Sequence, residues 1–386
     1  MSLEFAYNAR HLAAKRVSTL LTVGGISLVV FVFVATLMLA TGLEKTLGGT
    51  GSNRNVIVIR TGAQNEIQSG INREHANIIV AEPEVAQYQH KPLATFDTVV
   101  VVSLKKRDDG QPSNVNIRGT SSVAGVVREG VRVIAGRAPA VGAREVMVGA
   151  AINKKFAGTD IGQSVRLVGA DWPIVGIFDA GNSAFSSEIW GDVDVLMPSF
   201  RRDRFSSVTF RLADGTDFEN LKKRLENDPR LSVTVKREQE FYAAQSALLA
   251  KFITYMGGFI SVIFSFGAII GAMITMYSAV ASRTREIAIL RILGFGRSSI
   301  FFAFLKESAL IGVLGGIIGI FVAALLTNYT ITTINYSTFA EIAFGFALTP
   351  RIAFWGLCFS IVMGVFGGAL PAWRASRMTI LIGLRN

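Results

Sequence analysis

The organisation of this chain is decided by the sequence SRTREIAILRILGFGR, residues 282–297. It places arginines and one glutamate among regularly spaced isoleucines and leucines. Long apolar stretches precede and follow it, at 252–282 and 308–340, and two more lie at 17–43 and 352–373. Each is long enough for a membrane-spanning helix, which needs about 20 mostly apolar residues. The sequence therefore predicts an integral membrane protein in which residues 282–297 connect two spans.

The remaining boundaries follow from shifts in composition. We predict an α-helical membrane protein with four transmembrane helices and a large extracytoplasmic α/β domain inserted between helices 1 and 2. The predicted segments are an interfacial N-terminal helix (1–16), transmembrane helices (17–43, 251–282, 308–330 and 352–373), the large domain with its stalk (44–250), a cytoplasmic coupling loop (283–307), a short outer loop (331–351) and a cytoplasmic tail (374–386).

The charge distribution predicts the orientation. Only 17% of the residues are charged and the net charge is +11, against about 25% charged residues in average proteins. Most of the positive charge lies in short segments beside the apolar stretches, as at Lys15, Arg16, Arg285 and Arg374. Such residues mark the cytoplasmic side, so we expect both termini and 283–307 inside and 44–250 outside. This pattern fits membrane lipid as a partner and argues against nucleic acid.

The large domain reads as mixed α/β. Runs of β-branched residues at 55–60, 98–103 and 172–178 predict strands. Residues 206–236 predict a strand, a helix capped by Thr216 and a second strand, which suggests a ferredoxin-like element. Residues 238–250 have high helix propensity and run directly into the second apolar stretch. We expect one continuous helix there, serving either as a lever or as a rigid connector.

Glycines at helical spacing predict close helix packing in the third and fourth spans. Small residues four apart let helices approach closely in lipid. The candidate packing residues are Gly312, Gly316, Gly319, Gly364 and Gly368. Packing within the chain and contact between two copies both fit this spacing.

Several kinds of chemistry are missing from the sequence. No phosphate-binding loop of the Gly-x-x-x-x-Gly-Lys-Ser/Thr type occurs, and the three histidines are far apart and lack cysteine partners. Ion-coupled carriers place charged residues at membrane depth, and none lies deep in the predicted spans. We therefore expect no catalytic residue, no metal and no bound cofactor on this chain.

A family resemblance rests on the segment quoted first. The coupling segment of FtsX-like, MacB-type ABC transporter permeases is similar to Arg283-Thr-Arg-Glu-Ile-Ala-Ile-Leu-Arg-Ile-Leu-Gly294. The start of span one, Gly136-Arg137 with 144–149, and Pro371–Arg377 resemble the family as well. A basic loop obeying the positive-inside rule would explain the charges but not the apolar spacing or the predicted end of the helix at Gly294. The tail at 378–385 departs from the family by lacking its Asp-Pro and Glu.

The resemblance implies a mechanotransmission permease. It implies ATP on a separate ABC ATPase dimer, a permease homodimer, and a periplasmic adaptor with an outer-membrane duct, all at the bacterial inner membrane. The implied ATPase-coupling residues are Arg283, Arg285, Glu286, Ile289, Leu290, Arg291, Leu293 and Gly294. Ile287, Leu290 and Leu293 are expected on one side of a short helix. The expected cargo is a hydrophobic compound, peptide or lipid, and the alternatives are lipoprotein release or FtsX-like regulation of a cell-wall hydrolase.

Overall fold

The computed structural model describes residues 16–335 and 338–378, which fall into two compact units. The helical unit contains residues up to Thr41, then Leu249–Tyr329, and the residues from Phe346 onward. The α/β unit contains Gly42–Leu248 and Thr330–Gly345. The predicted interfacial helix, apart from Arg16, and residues 379–386 of the predicted tail lie outside the described residues.

Helices dominate the first unit and are scattered through the second. In chain order they are α1 (Arg16–Gly48), α2 (Arg73–Val80), α3 (Ala124–Val127), α4 (Ala150–Lys155), α5 (Val193–Ser199), α6 (Phe218–Asn227), α7 (Glu238–Ser282), α8 (Thr284–Ile292), α9 (Arg297–Ala324) and α10 (Pro350–Ser376). Short 3-10 helices also lie at Ala184–Ser187 and Leu325–Asn328.

Four of these helices are long and apolar enough to cross a membrane, which agrees with the number of predicted spans. They are α1, α7, α9 and α10, with 33, 45, 28 and 27 residues. The continuous helix predicted from residue 238 into the second span is α7. At about 1.5 Å per residue it is roughly 67 Å long, about twice the hydrocarbon thickness of a bilayer. Its first turns therefore extend well beyond what a membrane crossing requires.

The helix that contains the third predicted span begins within the predicted coupling loop. The sequence predicted a loop through residue 307, but α9 starts at Arg297, because extended backbone at Gly296 sets its start and no Pro or Gly interrupts residues 297–307. Lys306 and Glu307 are therefore helical. The predicted outer loop 331–351 also contains structure, since Thr330–Ile334 (β13) and Glu341–Gly345 (β14) form an antiparallel hairpin that belongs to the α/β unit.

The core of the helical unit is built from all four long helices. Val30 and Val34 of α1, Met276 of α7, Ile311 of α9 and Met363 of α10 are each almost completely buried in one apolar cluster. Other faces of the same helices expose large apolar side chains, as expected where lipid replaces water.

The α/β unit is built on a ten-stranded sheet. The strands before the hairpin are β1 (Asn55–Arg60), β2 (Gln87–Tyr88), β3 (Lys91–Pro92), β4 (Ala94–Lys105), β5 (Pro112–Thr120), β6 (Arg132–Gly136), β7 (Val146–Gly149), β8 (Ser164–Leu167), β9 (Ala170–Asp179), β10 (Glu188–Asp192), β11 (Ser207–Arg211) and β12 (Val233–Arg237). The large sheet has the order β12-β1-β11-β4-β5-β10-β7-β9-β6, with β8 paired to β9, and β2 and β3 form a separate hairpin.

The predicted ferredoxin-like element is confirmed in the first four positions of this sheet. Strands β12, β1, β11 and β4 are neighbours in that order and all pairs are antiparallel. Helix α2 connects β1 to β4 and α6 connects β11 to β12, which gives two split βαβ units. The N-cap prediction was wrong by one residue. Asp217 accepts from the Glu219 amide at 2.9 Å, whereas the Thr216 hydroxyl donates to the Ala213 carbonyl.

Candidate functional site

The helix α8 joins two spans, and its junction with α7 is a single residue, Arg283. This arginine is 7% exposed. Its Nη1 and Nη2 atoms donate to the two carboxylate oxygens of Glu307 on α9, at 2.8 and 3.0 Å. The guanidinium also lies 5.9 Å from the centre of the Phe304 ring. Two charged side chains with paired hydrogen bonds thus fix the turn from α7 into α8 against α9.

This placement differs from the expectation that Arg283 contacts an ATPase. The side chains of Arg283 and Glu307 are 9% and 5% exposed, so the charge of each is paired with the other inside the chain. Removal of one partner of such a buried pair typically costs about 3–5 kcal/mol, because the other is left buried and unpaired. The structure therefore assigns Arg283 to the attachment of α8.

The outward face of α8 is apolar. Large side chains that are 40% to 69% exposed follow one another along its second half and into the next turn. We call this set the apolar rim: Ile289, Leu290, Ile292, Leu293 and Phe295. Its members include Ile289, Leu290 and Leu293 of the predicted coupling set. The inward face is formed by Ile287 and Ala288, which are 2% and 4% exposed.

Ile287 was expected beside Leu290 and Leu293, and the structure places it in the core instead. It packs in the apolar cluster of the helical unit. Leu290 and Leu293 are instead 40% and 69% exposed, whereas Ile287 is 2% exposed. The three residues therefore do not share one face, and the exposed surface is supplied by Ile292 and Phe295 as well.

Gly294 ends α8 in the manner predicted from the sequence. Its φ is +93°, a conformation that favours glycine. The Gly294 amide donates to the Arg291 carbonyl at 3.2 Å, and the Phe295 amide donates to the Leu290 carbonyl at 3.1 Å. This pair of bonds is the Schellman motif. The motif turns the chain sharply after the helix and brings Phe295 beside the rest of the apolar rim.

Charged residues accompany the rim. Arg285 and Glu286 are exposed, and Arg291 is half-buried. An exposed apolar surface with guanidinium groups beside it can bind an apolar groove bordered by carboxylates. Within residues 16–335 and 338–378, no group of three or more His, Cys, Asp or Glu side chains could hold a metal ion. The exposed apolar rim and the arginines beside it are the features that suit this surface to binding a protein.

The predicted packing glycines all lie in contacts within the chain. A Cβ atom on Gly312 of α9 would lie 2.6 Å from the Ser360 carbonyl oxygen of α10, and one on Gly364 would lie 2.6 Å from that of Ser308. Gly316 and Gly368 face the same two serines, and Gly319 meets the backbone of Ser27 on α1. Of the two uses that the spacing allowed, the structure assigns these five positions to packing of α9 against α10 and α1.

Glu307 was missed as a member of the site. In the sequence it stands next to Lys306 at the edge of an apolar stretch and reads as a boundary charge. A weak signal was available, because few acidic residues adjoin the spans and one beside so many arginines invites an ion pair. The identity of its partner depends on how α7 and α9 meet, which no local pattern specifies.

The four apolar helices and the α/β unit, most of which lies between the first two of them in sequence, define a multi-pass membrane protein with a large domain outside its spans. The family model described as the MacB-like periplasmic core domain matches residues 19–228, more than half of the chain. The model of the FtsX-like permease C-terminal matches residues 258–380. The chain therefore belongs to this family and is an ABC transporter permease of the MacB/FtsX type.

Known relatives agree with this assignment. The chain is 28% identical over 235 residues to an uncharacterized ABC transporter permease, YknZ, of Bacillus subtilis, covering 58% of this chain and 55% of the relative. It is 25% identical over 408 residues to a macrolide export ATP-binding/permease protein, MacB, of Bdellovibrio bacteriovorus, covering 97% and 60%. The chain thus spans less than two thirds of either relative.

Solved structures that resemble the chain include the periplasmic region of MacB from Actinobacillus actinomycetemcomitans. It matches with a TM-score of 0.38 and 14% identity, covering 52% of this chain and 95% of that one. The extracellular domain of YknZ matches with a TM-score of 0.35 and 16% identity, covering 47% and 99%.

Proposed function

We propose that this chain is the permease subunit of an ABC transporter that transmits ATPase-driven motion across the bacterial inner membrane to its α/β unit. Permeases of this type work with an ABC ATPase. In our proposal ATP is bound and hydrolysed on a separate ATPase chain, and this chain binds no cofactor and is not catalytic. The ATPase docks on α8 through the apolar rim, with Arg285, Glu286 and Arg291 beside it.

The apolar rim is the observation that carries this proposal. Leu290 and Leu293 are 40% and 69% exposed on a helix that is firmly attached on its other side. Burial of a leucine side chain is worth about 1.5–3 kcal/mol, so an exposed set of this kind favours association with a partner. The same face could instead rest in the lipid interface, as amphipathic helices do. The following experiment separates these two uses.

The test replaces Leu293 by Asp. An aspartate at a docked position loses the apolar burial and leaves a desolvated charge, so the affinity for the ATPase should fall at least about tenfold, which corresponds to about 1.4 kcal/mol. The measurement is co-purification of the tagged permease with its ATPase, together with ATPase activity of the complex. Val141→Asp is the matched control, because Val141 is 76% exposed but belongs to the α/β unit.

The proposal requires that Leu293→Asp still inserts in the membrane but loses the ATPase, while Val141→Asp retains it. Normal association of the Leu293→Asp chain with the ATPase would contradict the docking assignment. If the Leu293→Asp chain still binds the ATPase but its α8 no longer lies at the lipid surface, the result would support the interfacial use instead.

The orientation is part of the proposal. We place both termini and α8 in the cytoplasm and the α/β unit on the outer side, supported by the basic residues beside the spans. Cys358 is the one cysteine of the chain, so a Cys358→Ala chain offers a clean background. In intact cells a membrane-impermeant thiol reagent should label a cysteine placed at Val141 and should not label one placed at Leu293. The reverse labelling pattern would show that the topology is opposite to the one proposed.

The assembly and cargo are proposed more broadly. We propose a permease homodimer with two ATPase subunits, a periplasmic adaptor and an outer-membrane duct, exporting a hydrophobic compound, peptide or lipid. The similarity to relatives described as macrolide export proteins supports export. Purification from native membranes followed by mass spectrometry tests this. A cell-wall hydrolase or a lipoprotein chaperone in place of adaptor and duct would support the regulatory or lipoprotein-release function instead.

A further inference from the structure

A cluster of charged side chains lies buried where α7 begins. It contains two arginines and four carboxylates, each at most 4% exposed and drawn from distant parts of the chain. We call this set the ionic cluster: Glu66, Asp97, Arg118, Arg128, Glu188 and Glu238. All six belong to the α/β unit. Charges are expensive to bury, so their concentration at one place requires a specific reason.

Arg118 forms the first arm of the cluster. It pairs with Glu188 through Nε and Nη2, at 2.7 and 2.8 Å, and with Glu66 through Nη1 and Nη2, at 2.7 and 3.0 Å. The Tyr242 hydroxyl donates to the same Glu66 at 2.8 Å. Because Tyr242 lies on α7, this arm connects the second turn of the helix to two strands and a loop of the unit.

Arg128 forms the second arm. Its Nε donates to Glu238, the first residue of α7, at 2.9 Å. The other oxygen of Glu238 accepts from the Asn55 side chain at 2.8 Å and from the Ser52 amide at 3.1 Å. This arm therefore holds the first turn of α7 against the segment that follows α1 in sequence.

Asp97 joins the two arms. One of its oxygens accepts from Arg128 at 2.6 Å and lies 3.4 Å from Arg118. The other oxygen accepts from the Thr120 and Thr95 hydroxyls, at 2.5 and 3.0 Å. Because both guanidinium groups share this carboxylate, a change in one arm alters the charge balance of the other.

Apolar packing alone is another way to attach the start of α7 to the α/β unit. The same unit contains a purely apolar cluster around Val115, Ile117 and Trp172. Buried ionic groups often add little net stability compared with apolar packing, but they specify one geometry, because a shifted register leaves charges unpaired. The ionic cluster thus fixes a single position for the start of α7 where apolar side chains would tolerate slippage.

We propose that the ionic cluster is a latch that holds the first turns of α7 in one register on the α/β unit and that opens as a unit. The latch requires Tyr242 and Glu238 as its two points on the helix and Asp97 as the link between its arms. Its use in transmitting movement along α7 rests on the proposed function. The latch itself does not, and the following experiment tests it without an ATPase.

The test is a double-mutant cycle read by hydrogen exchange on the full-length chain in lipid nanodiscs. Tyr242→Phe removes one hydroxyl from the first arm but keeps the ring, which packs edge-on against Phe185 and Phe241. Glu238→Gln weakens the second arm. Each should accelerate exchange of the amides of residues 242–246 by about tenfold or more, since each loses a buried hydrogen bond to a charged group.

A single latch makes the two effects overlap. The double variant should then accelerate exchange little more than the stronger single variant, while the strands β7–β9 keep their protection. Independent effects that multiply in the double variant would overturn the proposal, as would unchanged exchange in both single variants or equal acceleration throughout the unit. The matched control is Glu84→Gln, which weakens the Arg224–Glu84 pair at the surface and should leave residues 242–246 unchanged.

Discussion

The Arg283–Glu307 pair supports a prediction that separates attachment of α8 from docking on it. Arg283 and Arg285 are two residues apart in a segment where the sequence assigns both to a partner. In the structure Arg283 is buried in two hydrogen bonds to Glu307, whereas Arg285 is exposed. Arg283→Met and Arg285→Met remove the same charge from neighbouring positions and should therefore have different consequences.

The magnitude follows from burial of the pair. With both side chains less than one tenth exposed, Arg283→Met leaves the Glu307 carboxylate buried without its partner, at a cost of about 3–5 kcal/mol in the free energy of unfolding. Replacement of both residues, Arg283→Met with Glu307→Leu, removes the unpaired charge and should recover most of this loss. Arg285→Met should change stability by less than about 0.5 kcal/mol, as surface substitutions usually do.

The assay is thermal stability of the purified chain in detergent, followed by size-exclusion chromatography after heating. A loss of that size should lower the midpoint by roughly 6–20 °C, at 2–4 °C per kcal/mol for domains of 150–250 residues. Arg285→Met should keep the midpoint and weaken ATPase binding. If Arg283→Met kept the midpoint and lost the ATPase, the structural assignment of Arg283 would be refuted and the original assignment restored.

Two further predictions concern packing and pH. Gly312→Val should reduce the yield and thermal stability of the folded chain, because its Cβ would lie 2.6 Å from the Ser360 carbonyl oxygen. Gly258→Val is the control and should change neither, because no atom lies within 4 Å of the added Cβ. Equal effects of the two substitutions would argue against the packing of α9 on α10. Burial alone would raise the pKa values of Glu66 and Asp97. The charge of Arg118 on Glu66, and those of Arg128 and Arg118 on Asp97, more than offset this and hold the two pKa values below their usual 4.5 and 3.8. A group whose pKa is lower in the folded state adds stability that is complete above its unfolded pKa and is lost as the pH falls through its folded pKa. The urea midpoint of the α/β unit should therefore be constant between about pH 8 and 6 and should fall below about pH 4. A midpoint that rises on acidification would contradict this.

Local patterns predicted the features that depend on neighbours in sequence. The apolar stretches define the four long helices, the breaker-free run from residue 238 defines the extended start of α7, and Gly294 defines the end of α8. The second half of the ferredoxin-like element was predictable because its strand-helix-strand pattern lies within residues 206–236, whereas its first half, β1, α2 and β4, was not assigned to it from the sequence. Each of these depends on spacing within a few turns or strands.

Features that depend on distant partners were not predictable in the same way. The glycine spacing in α9 and α10 indicated close packing but not the helix that would supply the partner. The ionic cluster was missed altogether, because Glu66, Asp97, Arg118 and Glu238 come together only through the sheet order. A weak signal existed in Asp97 and Arg118, which are the one acidic residue of β4 and the one charged residue of β5.

The arrangement around α8 shows that Arg283, which the family resemblance places in the coupling set, is paired within the chain. The positive-inside rule places arginines on one side of the membrane but does not distinguish those that face a partner from those that neutralise an acidic residue of the chain itself. Here Glu307 and the buried Ile287 fix the inward face of α8 to α9, and Gly294 ends the helix. Because the inward face is anchored by a charge pair and by apolar burial, a force applied to the apolar rim acts on α9 as well as on α8. The coupling role proposed for α8 needs both properties, an exposed face that binds and an opposite face that cannot slip, and this nine-residue helix carries buried Ile287 and Ala288 as well as three exposed residues of the apolar rim.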